Sequence, residues 1–157
     1  MIKSVLVICT GNICRSPMAA ALLARQLESA TVESAGIMAL AGYGADPMAV
    51  TLMRERGIDI SGHRARQMMT WMTVTYELVL VMDRLQKQYI ENRFASLYGR
   101  VYRLGENPTL PCRTVPGFDI PDPYRKDRTS FEESLSLIES GVEAWSAHIA
   151  SLSARAR

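Results

Sequence analysis

Two histidines and three cysteines among 157 residues leave little material for a metal centre, and no cysteine pair has ligand spacing. Neither a metal nor a cofactor is expected. The odd set Cys9, Cys14 and Cys112, in a chain long enough to fold around its own core, argues against a disulfide framework. Reduced thiols are the expectation. An excess of one charge is missing too: a net charge of +2 with dispersed basic residues gives no basis for a nucleic acid partner, so any anion site must be local. Long hydrophobic runs are absent. The apolar run at 4–9 is too short for a signal-peptide core or a membrane span, which predicts no membrane span and a cytoplasmic location. There is no internal repeat or low-complexity tract. What the chain does have is 48% hydrophobic residues, enough for one compact domain over residues 1–157 with little room for a second.

The hydrophobic residues alternate between two periods. Lys3 to Cys9, Thr31 to Ile37, Glu77 to Met82 and Arg100 to Leu104 read as strands, and the β-branched apolar runs suggest strands buried on both faces, as in a parallel sheet. Between them lie helical patterns. One is expected to be capped by Ser16 with Pro17 at its first position; one runs from Pro47 to Arg56, capped by Asp46 and stopped by Gly57. A third starts at Asp83 with Gln86 placed for a capping box. After a long Pro- and Gly-rich loop at 105–128, Phe131, Leu135, Ile138, Val142, Trp145, Ile149 and Leu152 form one stripe of a last helix, with Thr129 and Glu132 as its capping box. The fold class predicted is α/β: a single-domain doubly wound sandwich with a central four-stranded parallel sheet flanked by helices. In such folds ligands bind at the carboxyl ends of the strands.

The loop at the end of the first strand, "CTGNICRS", carries the chemistry. Its backbone amides, Thr10 to Ser16, can converge on a phosphate-like anion at a helix N-terminus, with Gly11 allowing the tight turn and Arg15 supplying a two-oxygen clamp. The same positive potential favours a thiolate at Cys9, to which Ser16 can donate a hydrogen bond. A thiolate under a phosphoryl group suggests attack at phosphorus and a cysteinyl phosphate cleaved later by water. The leaving oxygen then needs a proton. Asp122, in "IPDPYRKD", is the candidate acid, stiffened by flanking prolines and expected to be partly desolvated over the cradle. Cys14 reads either as packing or as a partner for a reversible disulfide with Cys9 under oxidation, while Cys112 reads as incidental. Met68, Met69, Met72 and Met82 read as core filler and His148 as surface. The run Arg125, Lys126 and Arg128 is either a solvated face or an attraction for multiply phosphorylated peptides.

C-x-x-x-x-x-R-S near the N-terminus with D-P-Y far downstream resembles the low-molecular-weight protein tyrosine phosphatases. "VLVICTGNICRSP", "VESAG", "GADP", "GHRARQM", "LVLVMD" and "IPDPYRK" follow in that family's order over nearly the whole chain. The resemblance is to its bacterial branch and implies a substrate: the phosphotyrosines of autophosphorylating tyrosine kinases that control capsule and exopolysaccharide production. It also implies Cys9 as nucleophile, Arg15 as clamp and Asp122 as acid. Cys9, Thr10, Gly11, Asn12, Ile13, Cys14, Arg15 and Ser16 would form the phosphate loop, with Asn12, Ser16, Ser34 and His63 as its hydrogen-bonded support. The pocket rim would be Leu40, Tyr43 and Tyr124, with Leu40 where animal members often carry a large aromatic. Other readings compete. A thioredoxin-coupled arsenate reductase shares the loop but relays a disulfide through downstream cysteines, and none stands near "LVLVMD". A cysteine phosphocarrier would keep its phosphoryl group and needs no acid such as Asp122. A non-catalytic phosphopeptide-binding module would need no nucleophile at Cys9.

Overall fold

The computed structural model describes residues 2–109 and 116–155. Four strands form the predicted parallel sheet: β1 (Ser4–Cys9), β2 (Thr31–Gly36), β3 (Leu78–Val81) and β4 (Val101–Arg103), in the order β2-β1-β3-β4. β1 is therefore central, paired with β2 from Ser4↔Thr31 to Cys9↔Gly36 and with β3 from Val5↔Leu78 to Ile8↔Val81. Its residues from Val5 to Cys9 are all buried, which is why the run is apolar without alternation.

Side chains leave successive strand residues on opposite faces, and the two faces build two cores. Val5, Val7, Leu78, Leu80 and Met82 pack with Met18, Leu23, Leu52, Leu135 and Trp145, under α1 (Arg15–Gln26), α2 (Pro47–Glu55) and the long α5 (Arg128–Arg155). Leu6, Ile8, Val79 and Val81 pack on the other side with Met72, Ile90 and Leu97, under the short α3 (Met72–Thr75) and α4 (Arg84–Arg93). Burying each such side chain contributes roughly 1.5–3 kcal/mol before the cost of ordering it. Of the methionines expected in the core, Met68, Met72 and Met82 are buried, but Met69 is half exposed. His148 is not a plain surface residue: it sits edge-on to the Trp145 ring, 6.1 Å away, and is partly buried.

Two helix starts differ from the sequence expectation. α1 begins at Arg15 with Cys14 in the cap position and no side-chain cap; Ser16 lies inside the helix, its hydroxyl engaged elsewhere. α5, Arg128–Arg155, is capped by Asp127, whose Oδ1 accepts the Ser130 N–H at 3.0 Å. Glu132 pairs with Arg128 rather than reaching back to a cap. The other starts agree: Asp46 accepts from Met48 N–H, Asp83 accepts from Gln86 N–H, and Gly57 follows α2. The Gln86 side chain departs from a capping box, its Oε1 accepting the Met82 N–H at 2.8 Å.

Candidate active site

Cys9 is the last residue of β1, so the central strand delivers its sulfur to the carboxyl edge of the sheet. From there the loop to α1 curls round it. The carbonyls of Cys9, Thr10, Gly11, Asn12 and Ile13 all point outward to partners: Ile37 N–H, Met38 N–H, Leu40 N–H, the His63 ring and Asp46 N–H. In a trans peptide the N–H points opposite to the C=O, so the amides of this loop turn inward as an anion cradle. The residue that makes the turn is not Gly11. Asn12 adopts φ +58°, a left-handed conformation that asparagine tolerates better than most residues.

Asn12 is held there by every polar group it has. Its Nδ2 donates to Ser16 Oγ at 2.8 Å and to Ser34 Oγ at 3.0 Å, its Oδ1 accepts from Arg66 N–H at 2.9 Å, and its carbonyl accepts from His63 Nε2 at 2.6 Å. Its own N–H donates to Cys9 Sγ at 3.2 Å. Because the Ser16 oxygen accepts from Asn12, its hydrogen is free to point at Cys9 Sγ, 2.9 Å away. Two donors thus converge on the sulfur, as a charged nucleophile requires. Cys14 differs. Burial pushes its thiol well above the ordinary range, and Asp46, Cys9 and Asp122 oppose a second negative charge there. Cys9 and Cys14 are free thiols; Cys112 lies outside the described residues.

Arg15 is buried, with its side chain only 4% exposed. Its Nη1 donates to the Ile120 carbonyl at 2.9 Å and faces Asp83 Oδ2 at 3.3 Å, while Nη2 lies 3.5 Å from Asp122 Oδ2. Asp83 and the Ile120 carbonyl fix one side of the guanidinium and leave the other toward the cradle. Asp122, the expected acid, lines the same cleft as Cys9, with half of its side chain exposed. Its Oδ1 accepts the Tyr124 N–H at 3.1 Å.

These groups share a cleft of about 370 Å³, walled by Cys9, Cys14, Arg15, Ile13, Met38, Leu40, Asp122, Tyr124 and Arg125 among others. Of the three expected rim residues, Leu40 and Tyr124 line the cleft and Tyr43 does not. Gly42, at φ +84°, and the Tyr43 N–H to Leu40 carbonyl bond reverse the chain, leaving Tyr43 exposed outside the cleft. Met38, overlooked in the sequence, lines the cleft instead. Arg125 lies over the Tyr124 ring at 5.1 Å, so only one face of that ring is left for a ligand. Arg128 is withdrawn from the basic run: Glu55, at 2.8 Å, and Glu132 neutralise it. Asp83, Gln86 and Arg66 also support the site, a role the sequence reading did not give them. Gln86 Nε2 reaches Thr10 Oγ1 at 3.3 Å, and Arg66 Nε donates to the Ser34 carbonyl at 2.9 Å.

Burial lowers the pKa of His63 below its ordinary value of 6.5, although the Asn12 carbonyl works in the opposite direction. The folded state therefore prefers neutral His63. Above the unfolded value there is no linkage loss; as pH falls below 6.5 and through the folded value, the unfolded chain binds the proton more readily and stability drops. Thermal unfolding followed from pH 8 to pH 5 should show that decline, and His63→Gln should flatten it. An unchanged slope in the variant would remove His63 from the pH response.

A sulfur below an amide cradle, an arginine at its side and a carboxyl group across the cleft define the class of cysteine-dependent phosphatases. Comparison with known proteins narrows this. A family model described as low molecular weight phosphotyrosine protein phosphatase matches residues 4–155. A protein of Ralstonia nicotianae named "Probable low molecular weight protein-tyrosine-phosphatase EpsP" is 52% identical over 97% of this chain and 99% of its own length. The crystal structure of the tyrosine phosphatase Wzb from Escherichia coli K30 in complex with sulphate matches with TM-score 0.86 at 33% identity, over 95% of this chain and 99% of that one. YwlE arginine phosphatase from Geobacillus stearothermophilus matches with TM-score 0.89 at 28% identity, over 99% of this chain and 97% of that one. The chain belongs to the low molecular weight phosphotyrosine protein phosphatase family, and its activity is that of a protein tyrosine phosphatase. The arginine phosphatase shares the fold, so the fold alone does not select the phosphorylated side chain; the much higher identity to the EpsP protein does.

Proposed function

We propose that this phosphatase acts in the cytoplasm on the phosphotyrosine-bearing tail of an autophosphorylating tyrosine kinase of capsule or exopolysaccharide production. The similarity to the EpsP and Wzb proteins supports the substrate class, and no helix among the described residues is long and apolar enough to cross a membrane. The observation that carries the chemistry is the convergence of two hydrogen-bond donors on Cys9 Sγ at the floor of a cleft whose far wall holds Asp122.

In this reading the loop amides and Arg15 hold the phosphoryl oxygens while Cys9 Sγ attacks phosphorus. The bond from phosphorus to the tyrosine oxygen breaks, and Asp122 gives that oxygen its proton. A water then attacks the cysteinyl phosphate, Asp122 takes its proton, and Cys9 leaves as thiolate. Tyr124 and the aliphatic Leu40 and Met38 bracket a flat ring, and Arg125 and Lys126 attract further phosphates on the same tail.

Two measurements test this. kcat/KM compared across peptides with one or several phosphotyrosines, phosphoserine and phosphoarginine, at low and high salt, should favour multiply phosphorylated tyrosine peptides. That preference should shrink with salt. Equal rates on phosphoserine, or faster turnover of phosphoarginine, would refute the substrate assignment. Asp122→Ala should slow phosphotyrosine hydrolysis by about 10²–10⁴-fold. The loss should fade for phenols that leave without a proton; a uniform loss across leaving groups would exclude proton donation.

A further inference from the structure

The acid loop reaches the cleft through an ion pair outside it, and the geometry points to Asp119 as the residue that positions the proton donor. This inference rests on the reading of Asp122 as the acid. Asp119 lies three residues before it, is not among the residues lining the cleft, and its Oδ1 accepts two hydrogen bonds: from Arg103 Nη1 at 2.8 Å and from Arg84 N–H at 3.1 Å. Arg103 ends β4 with its side chain 7% exposed and is oriented from behind by Glu106, whose Oε1 accepts from Nε at 3.2 Å. The chain crosses directly over this guanidinium: a Cβ on Gly117 would lie 2.9 Å from Arg103 Nη2.

The Arg84 amide belongs to the first turn of α4, where a carboxylate also gains from the helix dipole. Asp83, the cap of the same helix, faces Arg15 Nη1. The N-terminus of α4 thus sets both halves of the site, the phosphate clamp through Asp83 and the acid loop through Asp119. Between Asp119 and Asp122 the backbone is pinned by Ile120 N–H to the Met82 carbonyl at 2.8 Å and by Ser134 Oγ to the Pro121 carbonyl at 2.8 Å. Asp122 has no comparable side-chain anchor apart from Arg15, so its placement is inherited from the loop that Asp119 fixes. Ile120, whose carbonyl holds Arg15, is itself tied to the Met82 carbonyl, so a small displacement of the loop beyond it moves the proton donor more than the clamp.

The effect should therefore appear only where a proton must be delivered. Asp119→Asn keeps an acceptor for Arg84 N–H but loses the charge that pairs with Arg103. It should lower kcat on phosphotyrosine by about 10–100-fold, the scale of a small misplacement of a catalytic group. Turnover of a dinitrophenyl phosphate and affinity for vanadate should stay near the parent values. Arg103→Lys, which keeps the charge without the planar fork, should give a smaller loss with the same selectivity, and it carries the test if Asp119→Asn does not fold. Combining Asp119→Asn with Asp122→Ala should add no loss on phosphotyrosine beyond Asp122→Ala alone. Equal losses on both substrates, or no loss on phosphotyrosine, overturn the assignment. If Asp122→Ala itself lacks leaving-group dependence, the proton-donor reading falls and this one with it; if Asp122→Ala has it and Asp119→Asn does not, only this one falls.

Discussion

Cys9→Ser yields a folded protein that binds vanadate and turns over almost nothing, with a loss on the order of 10⁶-fold, the scale on which removing a covalent nucleophile acts in other enzymes. A serine oxygen occupies nearly the same volume and can accept the Asn12 N–H, so the cradle keeps its shape. It is not ionised at neutral pH, and the donors aimed at the sulfur then have no anion to stabilise. Steady-state kinetics on an aryl phosphate and a vanadate titration check both halves; substantial residual turnover would move the nucleophile elsewhere. The same sulfur should be the first target of peroxide, because burial holds Cys14 as a neutral thiol. If Cys14 is a redox partner rather than packing, Cys9 sulfenic acid condenses with its thiol, forming a disulfide and releasing water. Peptide mass spectrometry should find that bridge, and Cys14→Ser should be inactivated without recovery in thiol.

Arg15→Lys should lower kcat by about 10²–10³-fold, as removing a preorganised donor to a developing charge does. The guanidinium is fixed on one side by the Ile120 carbonyl and Asp83, which aims its remaining donors into the cradle. An ammonium is a single point charge on a flexible stem: it can satisfy Asp83 or a phosphoryl oxygen, but not the planar pattern of both. The vanadate affinity should fall with kcat, since the clamp acts on every oxyanion. Near-normal kinetics would show that the loop amides hold the phosphoryl group unaided.

The two central strands, β1 and β3, were legible as short apolar runs buried on both faces, the edge strands β2 and β4 are only partly buried, and the sheet followed from the alternation of strands with helices. The loop was legible because all its parts are local in sequence. Errors arose where one residue type serves two purposes. Ser16 has the signature of a cap, yet its hydroxyl is engaged by Cys9 and Asn12, and α1 starts at Arg15, two residues before the expected Pro17. Gly11 has the signature of a strained turn, yet Asn12 takes the left-handed conformation because five hydrogen bonds hold it. Thr129 and Glu132 have the spacing of a capping box, but Arg128 captures Glu132 and Asp127 caps the helix. What no pattern carried is the long-range support: Asp83 on Arg15 across 68 residues, Arg66 on Asn12 across 54, and Glu55 neutralising Arg128 across 73. Those pairings exist only once the sheet order has brought the strand ends together.

β1 is hydrogen-bonded on both sides and sealed between two cores, buried from Val5 to Cys9, and Cys9, the proposed nucleophile, is its last residue. Amide hydrogens of such a strand exchange with solvent only when the whole domain opens, whereas loops and helix ends exchange through local fluctuations. The reactive sulfur is thus anchored to the part of the chain that surrenders its order last. The loop carrying Asp122 lies at the rim, with half of that side chain exposed and few hydrogen bonds to open. In the proposed mechanism the nucleophile therefore sits on a unit that opens globally and the proton donor on one that can open locally, so mild warming should loosen proton delivery before it disturbs phosphate capture.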